Sequence, residues 1–324
     1  MKIGLFTATF LDKSLEETCS MAAKYGYEAV ELPAFAGNPH LDIDQVIKDN
    51  NYAKKIKKII KDNGLIISAL SNHPEGQIIL GPYGEDTDAI YKGTKEEKIK
   101  FGTERMIKTA QAANILEVPV VCGFVGCENF GRFFNWPWSK GWAKMEEEFV
   151  KLWSPILDKF GEYGVKFAHE PHPNELAYDI DTAVRAIELM GNRKEFGFNF
   201  DPANLIYLDV KVEIFINVLK DKIFHVHAKD GEVVEHNLAR SGRIPQGDWQ
   251  RLGRGFRFRI PGWGSVPWKK VITELSMIGY DYVMSYEHED VTMSRQDGIE
   301  KTISYLKPLI IEAPYEGRND VLFN

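Results

Sequence analysis

Val165-Lys-Phe-Ala-His-Glu170, Ile180-Asp-Thr-Ala-Val-Arg-Ala-Ile-Glu-Leu-Met190 and Gly197-Phe-Asn-Phe-Asp201 follow one another in the middle of the chain. The outer two are short runs of β-branched and aromatic residues that each end on a carboxylate, and the run between them is amphipathic. A strand, a helix and a strand in that order form a βαβ unit with parallel strands. Working outward, the same alternation recurs until eight strand–helix pairs fill the 324 residues. Strands are expected at 2–6, 29–32, 66–71, 118–124, 165–170, 197–201, 223–228 and 282–287. Helices are expected at 14–25, 42–63, 94–113, 140–163, 180–190, 212–219, 268–278 and 294–310. Ser14 and Glu17 have capping-box spacing, and Ile43, Val46, Ile47, Ile56, Ile59 and Ile60 recur at helical spacing before Gly64 stops the run.

Eight βα units in strict order, with short connections before the strands and several long ones after them, are what a closed parallel barrel requires. The expected fold is therefore a (β/α)₈ TIM barrel, one domain over residues 1–324 with long βα loops. An open doubly wound sheet would carry a glycine-rich phosphate turn after an early strand, and none is present. No Pro/Ser-rich linker, fixed-period repeat or low-complexity segment divides the chain.

A net charge of −7 argues against a nucleic-acid partner, because neutralising phosphates needs a basic face. No apolar run approaches the ~18 residues of a membrane helix, so no membrane partner is expected. Cys19, Cys122 and Cys127 are an odd set with no CxxC pair, which fits a reducing compartment. The first apolar run contains Thr7 and Thr9 and leads into a capped helix rather than a cleavage site, so the expected location is cytoplasmic.

In such a barrel the chemistry lies at the C-terminal ends of the strands. Strand five ends in His169-Glu170-Pro171-His172, and strand six in Asn199-Phe200-Asp201. Strand seven carries His225-Val226-His227 before Lys229-Asp230, and strand eight ends in Tyr286-Glu287-His288-Glu289-Asp290. Isolated carboxylates at an apolar rim are costly to desolvate, and a divalent cation removes that cost. Glu170, Asp201, His227 and Glu287 are the expected ligands. His225 shares a face with His227 one layer deeper, because strand side chains alternate. Three carboxylates and one imidazole suit Mn²⁺ first, with Mg²⁺ and Co²⁺ close behind. Zn²⁺ remains an alternative that in structural sites prefers sulfur and nitrogen.

This order of residues resembles the xylose-isomerase-like superfamily, which includes sugar-phosphate isomerase/epimerase proteins, ketose 3-epimerases, the inositol-catabolism dehydratase and isomerase, and the endonuclease IV type of repair enzyme. Ser71-Asn72-His73-Pro74, His169-Glu170-Pro171-His172-Pro173, Phe200-Asp201-Pro202-Ala203-Asn204, His227-Ala228-Lys229-Asp230 and Tyr286-Glu287-His288-Glu289 carry the likeness over nearly the whole chain. The resemblance implies a sugar isomerase or epimerase in which Glu170 and Glu287 are catalytic. One carboxylate on each face of the sugar would move the proton next to a carbonyl, through a metal-held cis-enediolate. Two departures argue against a ketose 3-epimerase of free sugars. Asn204 stands where those enzymes carry His, and Asp230 and Val233 stand where they carry Glu and Arg.

The long segment 230–267 contains Gly253-Arg-Gly-Phe-Arg-Phe-Arg-Ile-Pro-Gly-Trp-Gly264. It is similar to proteins that process 3-keto-glycosides or cleave C-glycosides, so a lyase of the same fold is the alternative activity. An apurinic endonuclease would need a basic groove and further His ligands that the strand ends lack, and a sugar-binding barrel without catalysis is the remaining option. His73, His172, Asp230 and Trp136 are the expected substrate-binding residues for a small carbohydrate. Trp136, with Trp138, Trp249 and Trp263, would offer aromatic faces to a sugar. The resemblance also allows a homo-oligomer.

Overall fold

The apolar runs form strands in chain order: β1 Lys2–Phe6, β2 Ala29–Pro33, β3 Ile66–Ser71, β4 Val120–Gly123, β5 Lys166–His169, β6 Phe196–Phe200, β7 Ile223–Ala228, β8 Asp230–Val233, β9 Phe256–Arg259 and β10 Val283–Tyr286. In this computed structural model, which describes residues 1–130, 140–243, 247–248 and 251–313, β1 to β7 and β10 close into one parallel barrel. Closure is made by β1 against β10, with Lys2 opposite Val283 and Leu5 opposite Tyr286. Strands β2, β6 and β7 are buried at every residue. That is the signature of parallel strands covered by helices outside and by packed side chains inside. Among the described residues no helix is long and apolar enough to cross a membrane.

The outer layer is heavily aromatic around β5 and β6. Trp153, from the helix Gly141–Glu162, stacks on Phe167 at 4.7 Å, and Phe149 meets Phe196 edge-on at 5.9 Å. All four are buried. They anchor the two strands whose ends carry Glu170 and Asp201.

Three departures from the expected elements matter. The run 42–63 is two helices, Ile43–Lys48 and Asn50–Asp62, because Asp49 leaves helical geometry and caps the second by accepting from Asn51 N–H at 2.8 Å. The chain after β6 forms a short helix, Pro202–Leu208, ahead of Val212–Leu219. The segment after β7 is the antiparallel pair β8–β9, with a helix Glu235–Ser241 between its strands.

The rim after β3 is held by a buried ionic network. His73 opens the short helix His73–Gln77, and Gly76 in it lies so close to the barrel that a Cβ there would sit 2.2 Å from the Phe124 carbonyl. Glu75 accepts from Asn72 Nδ2 at 2.6 Å, from Ala36 N–H at 2.8 Å and from Arg105 Nε at 2.8 Å. Arg105 also reaches Asp44 Oδ2 at 2.9 Å and donates to the Ala34 carbonyl at 3.0 Å. Arg105→Ala would strand a buried carboxylate, so urea unfolding is expected to show a loss of about 3 kcal/mol. A loss below about 1 kcal/mol would mean that Asn72 and Ala36 suffice for Glu75.

Candidate active site

Four residues from four neighbouring strands converge at the C-terminal rim. Glu170 follows β5, where its N–H donates to the Gly123 carbonyl at 3.0 Å. Asp201 caps the helix Pro202–Leu208 with Oδ1, which accepts from Ala203 N–H at 2.8 Å, so Oδ2 is left for the rim. His227 lies on β7 and Glu287 follows β10. One ligand atom from each of Glu170, Asp201, His227 and Glu287 lies within 4.8 Å of the others. His227 Nδ1 is 3.0 Å from Glu170 Oε2 and 3.2 Å from Glu287 Oε2. The cluster expected from sequence is assembled.

Its surroundings orient each member. Glu170 Oε2 accepts from Asn199 Nδ2 at 2.9 Å and meets His73 Nε2 at 3.0 Å, while Oε1 accepts from Asn204 Nδ2 at 2.8 Å. Glu31, on the opposite wall in β2, accepts from His227 Nε2 at 3.0 Å and from the Ser71 hydroxyl. Glu31 thus selects the tautomer that turns Nδ1 toward the carboxylates. His225 lies one layer down, with Nδ1 3.0 Å from Asn199 Oδ1 and Nε2 3.3 Å from the Ser68 hydroxyl. Lys229 Nζ lies 2.8 Å from Asp201 Oδ2, 2.7 Å from Glu287 Oε2 and 2.9 Å from Glu289 Oε2.

The charges are strongly coupled. Burial pushes the Glu170 carboxyl up, but the charge of His227 beside it and the contact with His73 hold it well below the usual range. Burial acts the same way on Glu287, and Lys229 and His227 bring it down to about 2. For Asp201 burial wins over Lys229, and the carboxyl rises to about 8. Burial lowers His227, yet Glu31, Glu287 and Glu170 outweigh it and hold the imidazole well above 6.5. Positive charge at Nδ1 is therefore favoured, as a proton or as a metal ion. Asp201 Oδ2 and His227 Nδ1 are both buried without a hydrogen-bond partner, because their close neighbours lie off bonding directions. Two inward ligand atoms that make no hydrogen bond, in an oxygen-rich set, fit a hard divalent cation.

The expected substrate contacts divide. His73 is at the cluster, and His172 faces a cavity beside it. Asp230 is a correction: its Oδ1 accepts from Gly231 and Val266 N–H at 2.8 and 2.9 Å, and its Oδ2 from Gly262 N–H and Trp268 Nε1 at 2.9 Å each. Those four donors saturate the carboxylate, so it clamps the loop. Trp136, like Trp138 and Trp249, lies outside the described residues. A larger cleft of about 510 Å³ opens at the N-terminal face between Met1, Glu28 and Tyr280, remote from the carboxylates.

Sequence reading missed Lys229, Glu31, Asn199, Asn204 and Glu289 as members of the site. Lys229 continues the alternation of His225 and His227, and Glu31 is the one acid in the apolar run Ala29–Pro33. Both signals were available in the sequence.

A closed (β/α)₈ barrel with a carboxylate and imidazole cluster at its C-terminal rim is the architecture of barrel enzymes. Residues 19–309 match the model of the xylose isomerase-like TIM barrel family, and this chain belongs to that family. The uncharacterized protein YfiH of Bacillus subtilis (strain 168) is 23% identical over 326 residues, covering 96% of this chain and 99% of YfiH. The probable 3-DHS dehydratase AsbF, involved in petrobactin synthesis in Bacillus anthracis, is 17% identical with a TM-score of 0.68, over 95% of this chain and 99% of AsbF. The 3-keto-D-glucoside 4-epimerase YcjR from E. coli is 14% identical with a TM-score of 0.66, over 95% of this chain and 99% of YcjR. At these identities the two solved structures share the fold.

Burial pushes His169 and His225 down from 6.5 to about 4, so both are neutral in the fold at pH 7. A depressed native pKa gives stability that is present above 6.5 and lost as pH falls toward 4. Each imidazole accounts for up to roughly 3 kcal/mol of that loss. In His169→Gln, whose amide can still donate to the Ala177 carbonyl, denaturant unfolding between pH 7 and 4 is expected to give a shallower decline. An unchanged decline would assign the acid sensitivity elsewhere.

Proposed function

We propose that this chain is a divalent-metal-dependent enzyme that isomerises or epimerises a sugar, with Glu170, Asp201, His227 Nδ1 and Glu287 as metal ligands. The observation that carries the reading is the convergence of these four ligand atoms within 4.8 Å, with Asp201 Oδ2 and His227 Nδ1 buried and outside any hydrogen bond. Mn²⁺ suits the set best, with Mg²⁺ and Co²⁺ next. A bound divalent cation would supply positive charge beside a substrate carbonyl and its neighbouring hydroxyl, which acidifies the C–H bond next to the carbonyl.

The proton is handled by this chain's own carboxylates. Glu170 and Glu287 are both held ionised, as acceptors must be, and they approach from strands separated by β6 and β7. One removes the proton and becomes a carboxylic acid. For isomerisation that acid returns it to the adjacent carbon. For epimerisation the other carboxylate, protonated by exchange with solvent water, delivers a proton to the opposite face while the first gives its own up to water. Asn199 and Asn204 fix the Glu170 carboxylate, and His73 contacts the oxygen that faces His227. The Lys229 ammonium limits the repulsion among Asp201, Glu287 and Glu289. The names of the fold neighbours, a 3-keto-glucoside epimerase and a dehydratase, are in keeping with this chemistry.

A second reading is elimination from a 3-keto-glycoside or C-glycoside, favoured by the cavity whose lining residue Asn204 bonds Glu170. The same carboxylates would then remove a proton while a leaving group departs. In both readings the substrate is a small carbohydrate.

Purified protein is expected to hold about one metal per chain by elemental analysis, and Glu170→Ala to lose it. With Mn²⁺ added, solvent deuterium should enter a keto-sugar or 3-keto-glycoside next to its carbonyl. No metal and no exchange across a panel would leave a binding barrel. Glu31→Ala, which frees His227 from its tautomer lock, is expected to weaken Mn²⁺ binding by about 10–100-fold, with Glu31→Gln restoring part of the loss. Unchanged affinity in both variants would remove Glu31 from the site.

A further inference from the structure

A cavity of about 150 Å³ lies beside the carboxylate cluster, between the rim of β6 and the β8–β9 pair. Its lining includes His172, Asn204, Tyr207, Phe256, Arg257 and Phe258. The aromatic residues form a continuous wall, with Tyr207 edge-on to Phe256 at 4.9 Å and Phe256 edge-on to Phe258 at 5.1 Å. Two contacts tie this wall to the cluster. Asn204, which lines the cavity, donates to Glu170 Oε1 at 2.8 Å. Lys229 Nζ, 2.7 Å from Glu287 Oε2, sits 4.6 Å from the centroid of the Phe258 ring. The cavity is thus one residue removed from Glu170, through Asn204, and two from Glu287, through Phe258 and Lys229.

Size and chemistry then narrow the occupant. A cavity of this volume takes one ring of benzene size. A second sugar would bring hydroxyls that need partners around its whole edge, whereas the surface presented to the cavity is mostly apolar despite His172, Arg254 and Arg257 in its lining. The Tyr207 hydroxyl already donates to the Arg243 carbonyl at 2.7 Å. Asn204 is 1% exposed, and its Oδ1 has no hydrogen-bond partner. That oxygen is suited to accept from a single hydroxyl at the junction between the cluster and the cavity. Arg257, 3.6 Å from Glu232 Oε2, adds guanidinium donors for an oxygen substituent on the ring. Edge-to-face packing against Tyr207, Phe256 and Phe258 favours a flat aromatic ring.

We propose that this cavity is a subsite for an aromatic ring carried on the sugar, so that the substrate is an aryl-bearing glycoside. The proposal rests on the reading that the sugar itself is held at the carboxylate cluster. The ring lies against the aromatic wall, and the sugar hydroxyl nearest it donates to Asn204 Oδ1.

Calorimetric titration of the full chain, loaded with Mn²⁺, would compare phenyl β-D-glucoside, methyl β-D-glucoside, cellobiose and phenol. Phenyl glucoside is expected to bind about ten-fold more tightly than methyl glucoside or cellobiose, and phenol to compete with it. Tyr207→Ala and Phe258→Leu, each checked for a wild-type melting curve, should cut that preference to about three-fold or less. Phenol binding that persists in Glu170→Ala supports the subsite whatever the fate of the metal assignment. Phenol binding without phenyl glucoside binding would leave an aromatic pocket and overturn the aryl-glycoside substrate together with the sugar assignment. Cellobiose matching phenyl glucoside, no phenol competition, or a preference untouched by both substitutions would overturn the proposal.

Discussion

Glu31, Glu170, Asp201, Glu287 and Glu289 crowd one mouth of an otherwise apolar barrel, and against them stand Lys229, buried to 3% exposure, and the imidazole of His227. Like charges this close, with so little water, raise one another's pKa unless a cation intervenes. The Lys229 ammonium touches three of the acids, and its own proton is held well above the ordinary lysine range: burial opposes the charge, but Asp201, Glu287 and Glu289 outweigh it. Asp201 still rises to about 8, which marks the place where the positive charge falls short. The site is built around that shortfall.

The barrel supplies what such a cluster needs, which is rigidity from strands in fixed register. The pairing between β6 and β7 slips between Phe198 and Asn199. Asn199 pairs in register with His225, meets its ring nitrogen and donates to Glu170 across the neighbouring strand. The aromatic layer of Trp153, Phe167 and Phe196 fixes the same strands from outside, so orientation at the rim is set by packing several ångströms below it. Glu31 and Ser71 brace the centre from β2 and β3, on the far wall.

Most of this architecture was legible from periodicity. Buried parallel strands read as short apolar runs, and the βαβ order leaves a closed barrel as the economical solution. The four rim residues could be named because strand ends deliver side chains to one place. What stayed hidden depended on pairings between distant residues. Asp230 looked like a substrate contact because it stands three residues after His227, where the resembled enzymes carry Glu, but the donors to its carboxylate belong to Gly262, Val266 and Trp268, more than 30 residues onward. The break at Asp49 came from side-chain capping that the isoleucine spacing outweighed. The run Phe256-Arg-Phe-Arg259 does alternate, yet without its partner Asp230–Val233 it could not be assigned to a sheet.

The clamp at Asp230 has an evolutionary meaning. It ties Gly231 to Gly262, Val266 and Trp268, so the two ends of the excursion that carries the β8–β9 pair are joined to each other where they meet the barrel. Everything between is a cassette. Its length and side chains can drift without moving Lys229 or Glu287, which sit on the barrel side of the anchor. A lineage could exchange this cassette and reshape the cavity wall while inheriting the rim carboxylates intact.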